Sequence, residues 1–198
     1  MWPRNINENR PSRAVRGRLD PELRNLGYAK AGSDRLIRKR VHLPDCARLA
    51  IDKLRSPLEQ QSIRVDLECD AQDVRADEAI LLRILVNLLG NSVKYMHRET
   101  RGLITITMSR AWEEIRTVIA DNGPGIDPSL LEDVFLPFKR ANVDERGTGL
   151  GLSIVKKYTE SFGGRIRLIS DGASGTSVVL MLPAASSASL DLPESDAA

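Results

Sequence analysis

The stretch DEAILLRILVNLLGNSVKYM, residues 77–96, has the strongest periodic pattern in the chain. Two acidic residues open it, which suits the positive end of a helix dipole. Apolar residues then recur at positions 80, 81, 84, 85, 88 and 89, the spacing of one stripe along an α-helix. The sequence therefore predicts a long amphipathic helix whose apolar stripe packs on a core.

One edge of this helix carries polar side chains beside the apolar stripe. Four of them share roughly 100° of arc, namely Asn87, Asn91, Lys94 and Tyr95. A buried carboxamide needs a hydrogen-bond or metal partner, so two of them one turn apart at the rim of a core are costly without one. The pattern indicates either a ligand site or two side chains that cap neighbouring loops.

The elements around the helix do not alternate regularly between strand and helix. Alternating patterns predict strands at 63–68, 103–109, 115–121, 165–170 and 176–183, and helical spacing predicts further helices at 43–61 and 150–161. This order predicts an α+β fold, a two-layer α/β sandwich with a mixed, mostly antiparallel sheet and its helices on one face.

Two glycine-rich stretches stand beside these elements. In IADNGPGID, residues 119–127, Asp121 closes a strand, and the glycines after it allow another group to approach the backbone. In RGTGLGLSIVKKYTESFGG, residues 146–164, alternate glycines lead into a helix, but Leu152 breaks the GxGxxG motif and no P-loop lysine follows. Amides exposed before a helix favour an anion, whereas both stretches are also compatible with ordinary turns.

Taken in order, these stretches resemble the ATP-binding domain of sensor histidine kinases, within the superfamily that includes gyrase and a heat-shock chaperone. The resemblance covers about residues 41–183 and implies the histidine-kinase-type ATPase fold. The motifs that carry it are NLLGNSVKY (87–95), DNGPG (121–125), FLPF (135–138), GTGLGL (147–152) and GTSVVLMLP (175–183).

The resemblance implies that the chain binds ATP and Mg²⁺. Asn91, together with Asn87, would hold Mg²⁺ against the triphosphate. Lys94 and Tyr95 would line the phosphate and sugar side.

The resemblance also implies how the base is held. Asp121 would accept a hydrogen bond from the adenine amino group, with Thr176 supporting that contact. Gly123 and Gly125 would let the base approach the backbone.

A mobile lid is implied between Ile126 and Arg146, with Phe135 and Phe138 anchored to the core. Lys139 or Arg140 could reach the γ-phosphate, or could remain solvated loop cations. The glycines would hinge the lid and present backbone amides to the phosphates, in the run Gly147, Thr148, Gly149, Leu150, Gly151 and Leu152. The best candidates for catalytic groups are Asn91, Lys94 and Arg140.

Position 87 separates two kinds of activity within the superfamily. Hydrolysing members place a glutamate there, one helical turn before the magnesium-binding asparagine, where it can activate water. Asn87 cannot act as a general base, so the resemblance implies a histidine protein kinase that donates the γ-phosphate to a histidine. Neither His42 nor His97 fits the acceptor motif, so that histidine is expected on a separate dimerisation domain or a partner chain, with a response regulator downstream. A regulatory module that binds ATP without transferring phosphate is the alternative.

Composition bounds the remaining possibilities. With 41% hydrophobic and 28% charged residues, the 198-residue chain is typical of a globular protein. We expect no membrane segment or signal peptide in it. Cys46 and Cys69 are expected to be reduced, in a cytoplasm. Residues 1–40 hold 11 Lys/Arg against 4 Asp/Glu, a charge of 11 − 4 = +7. We expect this basic segment to be partly disordered. It could correspond to the end of a dimerisation helix and the linker that follows it. We do not expect it to bind nucleic acid. The ATP-binding domain is expected at 41–183 and a disordered tail at 184–198.

Overall fold

The computed structural model describes residues 36–70, 72–96, 101–139 and 149–185. The strands are β1 (Lys39–His42), β2 (Arg64–Cys69), β3 (Asp73–Ala76), β4 (Leu103–Ala111), β5 (Glu114–Asp121), β6 (Arg165–Ser170) and β7 (Thr176–Pro183). The helices are α1 (Leu43–Lys53), α2 (Arg55–Gln60), α3 (Glu78–Tyr95) and α4 (Gly151–Ser161), with 3-10 turns at Pro128–Leu130 and Asp133–Phe135. The predicted disorder of residues 1–35 and 186–198 lies outside the described residues and stays a prediction.

Five strands form the main sheet in the order β2-β4-β5-β7-β6. Strand β2 runs parallel to β4, and the other three pairs are antiparallel. This confirms the predicted α+β fold with a mixed, mostly antiparallel sheet. Strands β6 and β7 have the predicted bounds.

The connection between β4 and β5 is shorter than the sequence predicted. The sequence suggested RAWEE as the linking loop, but Ala111 pairs with Glu114, so only Trp112 and Glu113 lie between the strands. Trp112 has a φ of 60°, a conformation that two-residue hairpins require. The extra pairing lengthens both strands toward the turn.

A two-stranded antiparallel ribbon of β1 and β3 was not predicted. Val41 pairs with Val74 in it, and both side chains are buried. Each strand has only four residues, too few for an alternating pattern to stand out, and each depends on a partner distant in sequence. The ribbon begins at Lys39 and bridges to Ala184 through Val74, so ordered structure extends slightly beyond both predicted domain boundaries.

Helix α3 lies at the centre of the core, and its predicted stripe faces the sheet. The Asp77 carboxylate caps its first turn by accepting hydrogen bonds from the amides of Ala79 at 3.1 Å and Ile80 at 3.2 Å. The largest fully buried side chains of α3 and the main sheet are Leu81, Ile84, Leu85, Leu88, Leu89, Ile104, Ile106, Ile115, Ile119 and Leu180. Burial of each such side chain contributes about 1.5–3 kcal/mol of hydrophobic stabilisation. This packing fixes the polar edge of α3 relative to the strand ends.

The predicted helix at 43–61 is divided into α1 and α2 at Leu54. Proline has no amide proton and its ring clashes with the carbonyl four residues earlier, so Pro57 disrupts the helical bond to Lys53. The backbone turns at Leu54, with φ −105° and ψ 9°, and a second short helix follows. None of the helices in the described ranges is long and apolar enough to cross a membrane.

Candidate functional site

Asp121, at the end of β5, is held by three hydrogen-bond donors from three parts of the chain. Its Oδ2 accepts from the Ser92 hydroxyl on α3 at 2.8 Å. Its Oδ1 accepts from the backbone amides of Gly123 at 3.1 Å and Thr176 at 3.2 Å. Thr176 lies directly opposite Asp121 in the β5–β7 register. The half-buried carboxylate therefore has a fixed orientation at the C-terminal end of the central strand of the sheet.

Glycines allow the loop after β5 to pack closely against the loop between β6 and β7. Gly125 has a φ of 80°, and a Cβ there would lie 2.8 Å from the Ser170 hydroxyl oxygen. Gly175 has a φ of 97°, and its Cβ would overlap the carbonyl oxygen of Asp121. Both positions therefore need glycine for conformation and for space.

The Ser170 hydroxyl links these two loops. It accepts a hydrogen bond from the Ile126 amide at 2.9 Å and donates to the Gly175 carbonyl at 2.7 Å. Sequence reasoning missed both Ser170 and Ser92. The only signals were their positions, since Ser170 ends a strand before a glycine-rich turn and Ser92 directly follows Asn91.

Helix α3, which carries the predicted polar edge, contacts this carboxylate through Ser92. Asn87 and Asn91 are half-buried, and Lys94 and Tyr95 are exposed. Lys94 Nζ donates to the Tyr95 hydroxyl at 2.8 Å and lies 4.4 Å from the centroid of its ring. A Cβ added at Gly123 would lie 3.5 Å from the Tyr95 carbonyl oxygen, so the loop after β5 packs on the end of α3.

The two carboxamides fit a magnesium site of a particular kind. Within the described ranges, neither Asn87 nor Asn91 forms a side-chain hydrogen bond, so the interpretation that they cap described loops gains no support. The same ranges hold no group of three or more His, Cys, Asp or Glu side chains arranged for a metal. Mg²⁺ commonly keeps several waters and binds through few protein oxygens plus substrate phosphates. A pair of amide oxygens beside a triphosphate is compatible with that preference.

The segment after Gly125 begins with two 3-10 turns. Val134 is buried, and Phe135 is half-buried with Lys156 Nζ lying 5.6 Å from its ring centroid. Phe138 is 67% exposed, so the expectation that it anchors to the core is wrong. Its φ is 66°, in the left-handed region. Lys139 forms an exposed ion pair with Asp133 at 3.2 Å.

The N-terminus of α4 offers backbone amides to a ligand. Leu150 is the N-cap and supplies no capping side chain, and the first helical bond to its carbonyl comes from Ile154. The amides of Gly151, Leu152 and Ser153 therefore have no partner within the helix, and such a terminus favours an anion. A Cβ added at Gly151 would meet nothing within 4 Å. Protein packing alone therefore does not require glycine at this position.

The structure brings three of the predicted site residues into direct contact. Asp121, Gly123 and Thr176 share one hydrogen-bond cluster, and that cluster joins the asparagine edge through Ser92. The predicted residues Arg140, Gly147 and Thr148 lie outside the described residues, as does His97.

The two cysteines have no role in this cluster. Both are free, and Cys46 is buried in the core. Burial raises the pKa of the Cys46 thiol to about 12, so the thiol is neutral and unreactive at physiological pH.

Comparisons with known proteins identify the family. Residues 76–186 match the profile described as histidine kinase-, DNA gyrase B-, and HSP90-like ATPase, which is more than half of the chain. The chain is 36% identical over 134 residues to the methanogenesis regulatory histidine kinase FilI of Methanothrix harundinacea, a match covering 68% of this chain and 15% of FilI. It is 35% identical over 125 residues to the adaptive-response sensory kinase SasA of Synechocystis, covering 62% of this chain and 32% of SasA.

Solved structures give the same result. The catalytic domain of histidine kinase ThkA aligns with a TM-score of 0.66 at 27% identity, covering 74% of this chain and 95% of that domain. Full-length ShkA in complex with AMPPNP aligns with a TM-score of 0.74 at 25% identity, covering 85% of this chain and 35% of ShkA. The chain spans only 15–32% of the length of FilI and SasA, so it corresponds to one part of such proteins. The chain belongs to the family of histidine kinase-, DNA gyrase B- and HSP90-like ATPases.

Proposed function

We propose that this chain binds Mg-ATP and donates its γ-phosphate to a histidine, as the catalytic part of a two-component sensor histidine kinase. The observation that carries the proposal is the Asp121 carboxylate, which is held by three donors beside two carboxamides without partners in the described ranges. Its similarity to named histidine kinases, and to a structure that holds AMPPNP, supports the choice of ligand.

Each part of the site has a role in holding the nucleotide. Asp121 accepts a hydrogen bond from the amino group of adenine, and the bare backbone of Gly123 leaves room for the ring. Asn87 and Asn91 hold Mg²⁺, which when bound neutralises charge on the phosphates. The amides at the start of α4, which have no partner within the helix, bind phosphate oxygens, and the missing side chain at Gly151 permits close approach of the phosphates.

The chain contributes to the reaction by positioning ATP relative to the acceptor histidine. A neutral nitrogen of the acceptor histidine attacks the γ-phosphorus, an N–P bond forms, and the P–O bond to the β-phosphate breaks to release ADP. Phosphoryl transfer depends mainly on orientation and charge stabilisation, so one domain can supply the nucleotide and another the nucleophilic histidine. Because Asn87 stands where a general base would activate water, the site holds ATP for transfer rather than for hydrolysis.

The acceptor belongs to a separate dimerisation domain or a partner chain, and the phosphate passes on to a response regulator. His42 is the last residue of β1 and the N-cap of α1, and its Nδ1 lies 3.0 Å from Asp45 Oδ2. The proposal places this activity in the cytoplasm, where ATP is available.

Calorimetric titration of the purified chain with AMPPNP, with and without Mg²⁺, tests the proposal. We expect saturable binding that Mg²⁺ strengthens. Asn91→Asp should weaken it, because a carboxylate would face the phosphates, whereas Gln61→Glu adds the same charge at an exposed position outside the site and should bind as the wild type does. Absence of binding by the folded wild-type chain would contradict the proposal.

Transfer is tested separately with γ-labelled ATP and the histidine-bearing dimerisation domain of a related sensor kinase. We expect an acid-labile label on that domain, dependent on this chain. Binding of AMPPNP without transfer to any of several such domains would favour the alternative, a regulatory module that holds ATP without donating phosphate.

A further inference from the structure

We propose that Ser92 is a positioning residue that leaves Asp121 a single free acceptor position, and that this arrangement selects adenine over guanine nucleotides. The inference rests on the proposed function, because it concerns the nucleotide that this site would bind. Ser92 is not among the site residues predicted from the sequence.

The number of hydrogen bonds that Asp121 accepts can be compared with the number of lone-pair positions on its carboxylate. A carboxylate has about four lone-pair positions, two on each oxygen. The amides of Gly123 and Thr176 fill both positions on Oδ1. The Ser92 hydroxyl, at 2.8 Å, fills one position on Oδ2. Among the residues that the structure describes, no other donor bonds this carboxylate, so one acceptor position on Oδ2 remains for a ligand.

Ser92 is fixed in this role by its surroundings. Its side chain is 5% exposed on a helix whose neighbouring turns are packed in the core. A serine hydroxyl has one proton, and Ser92 donates it to Asp121, so its oxygen can only accept hydrogen bonds from a ligand or a water. The pair thus presents acceptors only.

The two purines differ in what they require from such a pair. Adenine offers one exocyclic amino donor beside a ring-nitrogen acceptor, so one free position on Oδ2 is sufficient. Guanine offers two adjacent donors, its ring N–H and its 2-amino group, and these need two free acceptor positions. Because the two amides fill Oδ1 and Ser92 fills one position on Oδ2, one guanine donor would lose its partner, and the guanine 6-oxo group would have only acceptors nearby. An unpaired polar group on a bound ligand is costly.

Three variants test this inference. Ser92→Ala removes the hydroxyl, and Ser92→Thr keeps it. The control is Ser161→Ala, which removes a serine hydroxyl on α4 that donates a hydrogen bond to the Tyr158 carbonyl oxygen in the same helix. Each is titrated with ATP, GTP and purine riboside triphosphate, which lacks the 6-amino group. Thermal unfolding verifies that each variant is folded.

We expect Ser92→Ala to lose about tenfold in ATP affinity, the order of one hydrogen bond to a charged group. Its affinity for purine riboside triphosphate should change little, because that ligand has no amino group for the oriented carboxylate. Loss of the Ser92 hydroxyl also frees a second acceptor position on Oδ2 for guanine, so the ratio of ATP to GTP affinity should fall. Ser92→Thr should restore the ratio, and Ser161→Ala should match the wild type.

The outcomes separate this inference from the proposed function. Equal losses for all three nucleotides, or an unchanged ATP-to-GTP ratio in Ser92→Ala, would show that Ser92 only supports the fold and would overturn the inference alone. A folded wild-type chain that binds no nucleotide would overturn both.

Discussion

Phe138 donates its backbone amide to the carbonyl oxygen of Gly149 at 3.0 Å, and both residues have positive φ, 66° and 72°. This hydrogen bond joins the two ends of the segment between them. A left-handed backbone costs little at glycine and about 1–2 kcal/mol at another residue. The fold therefore contains local strain at the point where the predicted lid meets α4.

Substitution of Gly149 should affect both stability and binding. A Cβ at this position would lie 3.0 Å from Phe138 Cα, and the backbone is left-handed. We expect Gly149→Ala to lower the free energy of unfolding by about 1–3 kcal/mol and to weaken binding of AMPPNP. Urea denaturation and calorimetry measure the two effects. Full retention of both would show that this position does not act as a hinge.

Gly151 offers the matched comparison two residues later. Its Cβ would meet nothing within 4 Å, and it occupies the first turn of a helix, so Gly151→Ala should leave stability unchanged or raise it by up to about 1 kcal/mol. If phosphates approach this backbone, the added methyl group should reduce AMPPNP affinity by about tenfold or more, which is about 1.4 kcal/mol. A variant that binds AMPPNP as tightly as the wild type would place the phosphates elsewhere.

Gly175 should be more sensitive than another glycine of similar conformation. Gly163 has a φ of 78° and its Cβ would lie 3.8 Å from Pro183, whereas a Cβ at Gly175 would overlap the Asp121 carbonyl oxygen. We expect Gly163→Ala to cost about 1–2 kcal/mol from backbone conformation alone. Gly175→Ala should cost more than about 3 kcal/mol, because β5 and β7 must separate. Equal losses by urea denaturation would exclude the steric explanation.

The loop between β6 and β7 should respond to acid. The Asp171 carboxylate accepts hydrogen bonds from the amides of Ala173 at 2.9 Å and Ser174 at 2.7 Å, and these bonds lower its pKa from 3.8 to about 2. A lowered pKa in the folded state stabilises the fold above the ordinary pKa, and this contribution is lost as pH falls toward about 2.

Carbon NMR titration of the Asp171 carboxyl should give a midpoint near that value. Asp171→Asn should lose less stability between about pH 4 and pH 2 than the wild type does. Asp52→Asn, which removes another exposed carboxylate, serves as the control. A midpoint at the ordinary value for aspartate would mean that the two amide bonds do not persist in solution.

Local patterns accounted for much of the fold. The bounds of β6 and β7 and the stripe of α3 followed from periodicity within the segments themselves. The division at Leu54 could have been anticipated from Pro57, because its effect on the preceding turn is also local. The β1–β3 ribbon could not, since two strands of four residues become strands only through pairing.

The family motifs, and the choice of Asp121 as the candidate base-binding carboxylate, followed from the sequence by itself, because the residue types and their order along the chain carry that information. The tertiary structure decided which groups hold the carboxylate, because Ser92 and Thr176 lie 29 and 55 residues away from it in sequence. It also decided that Phe138 points outward and that Gly175 must lack a side chain, since both depend on segments brought together only by folding. Helix and strand patterns repeat over a few residues, whereas a hydrogen bond between distant segments depends on the whole packed core.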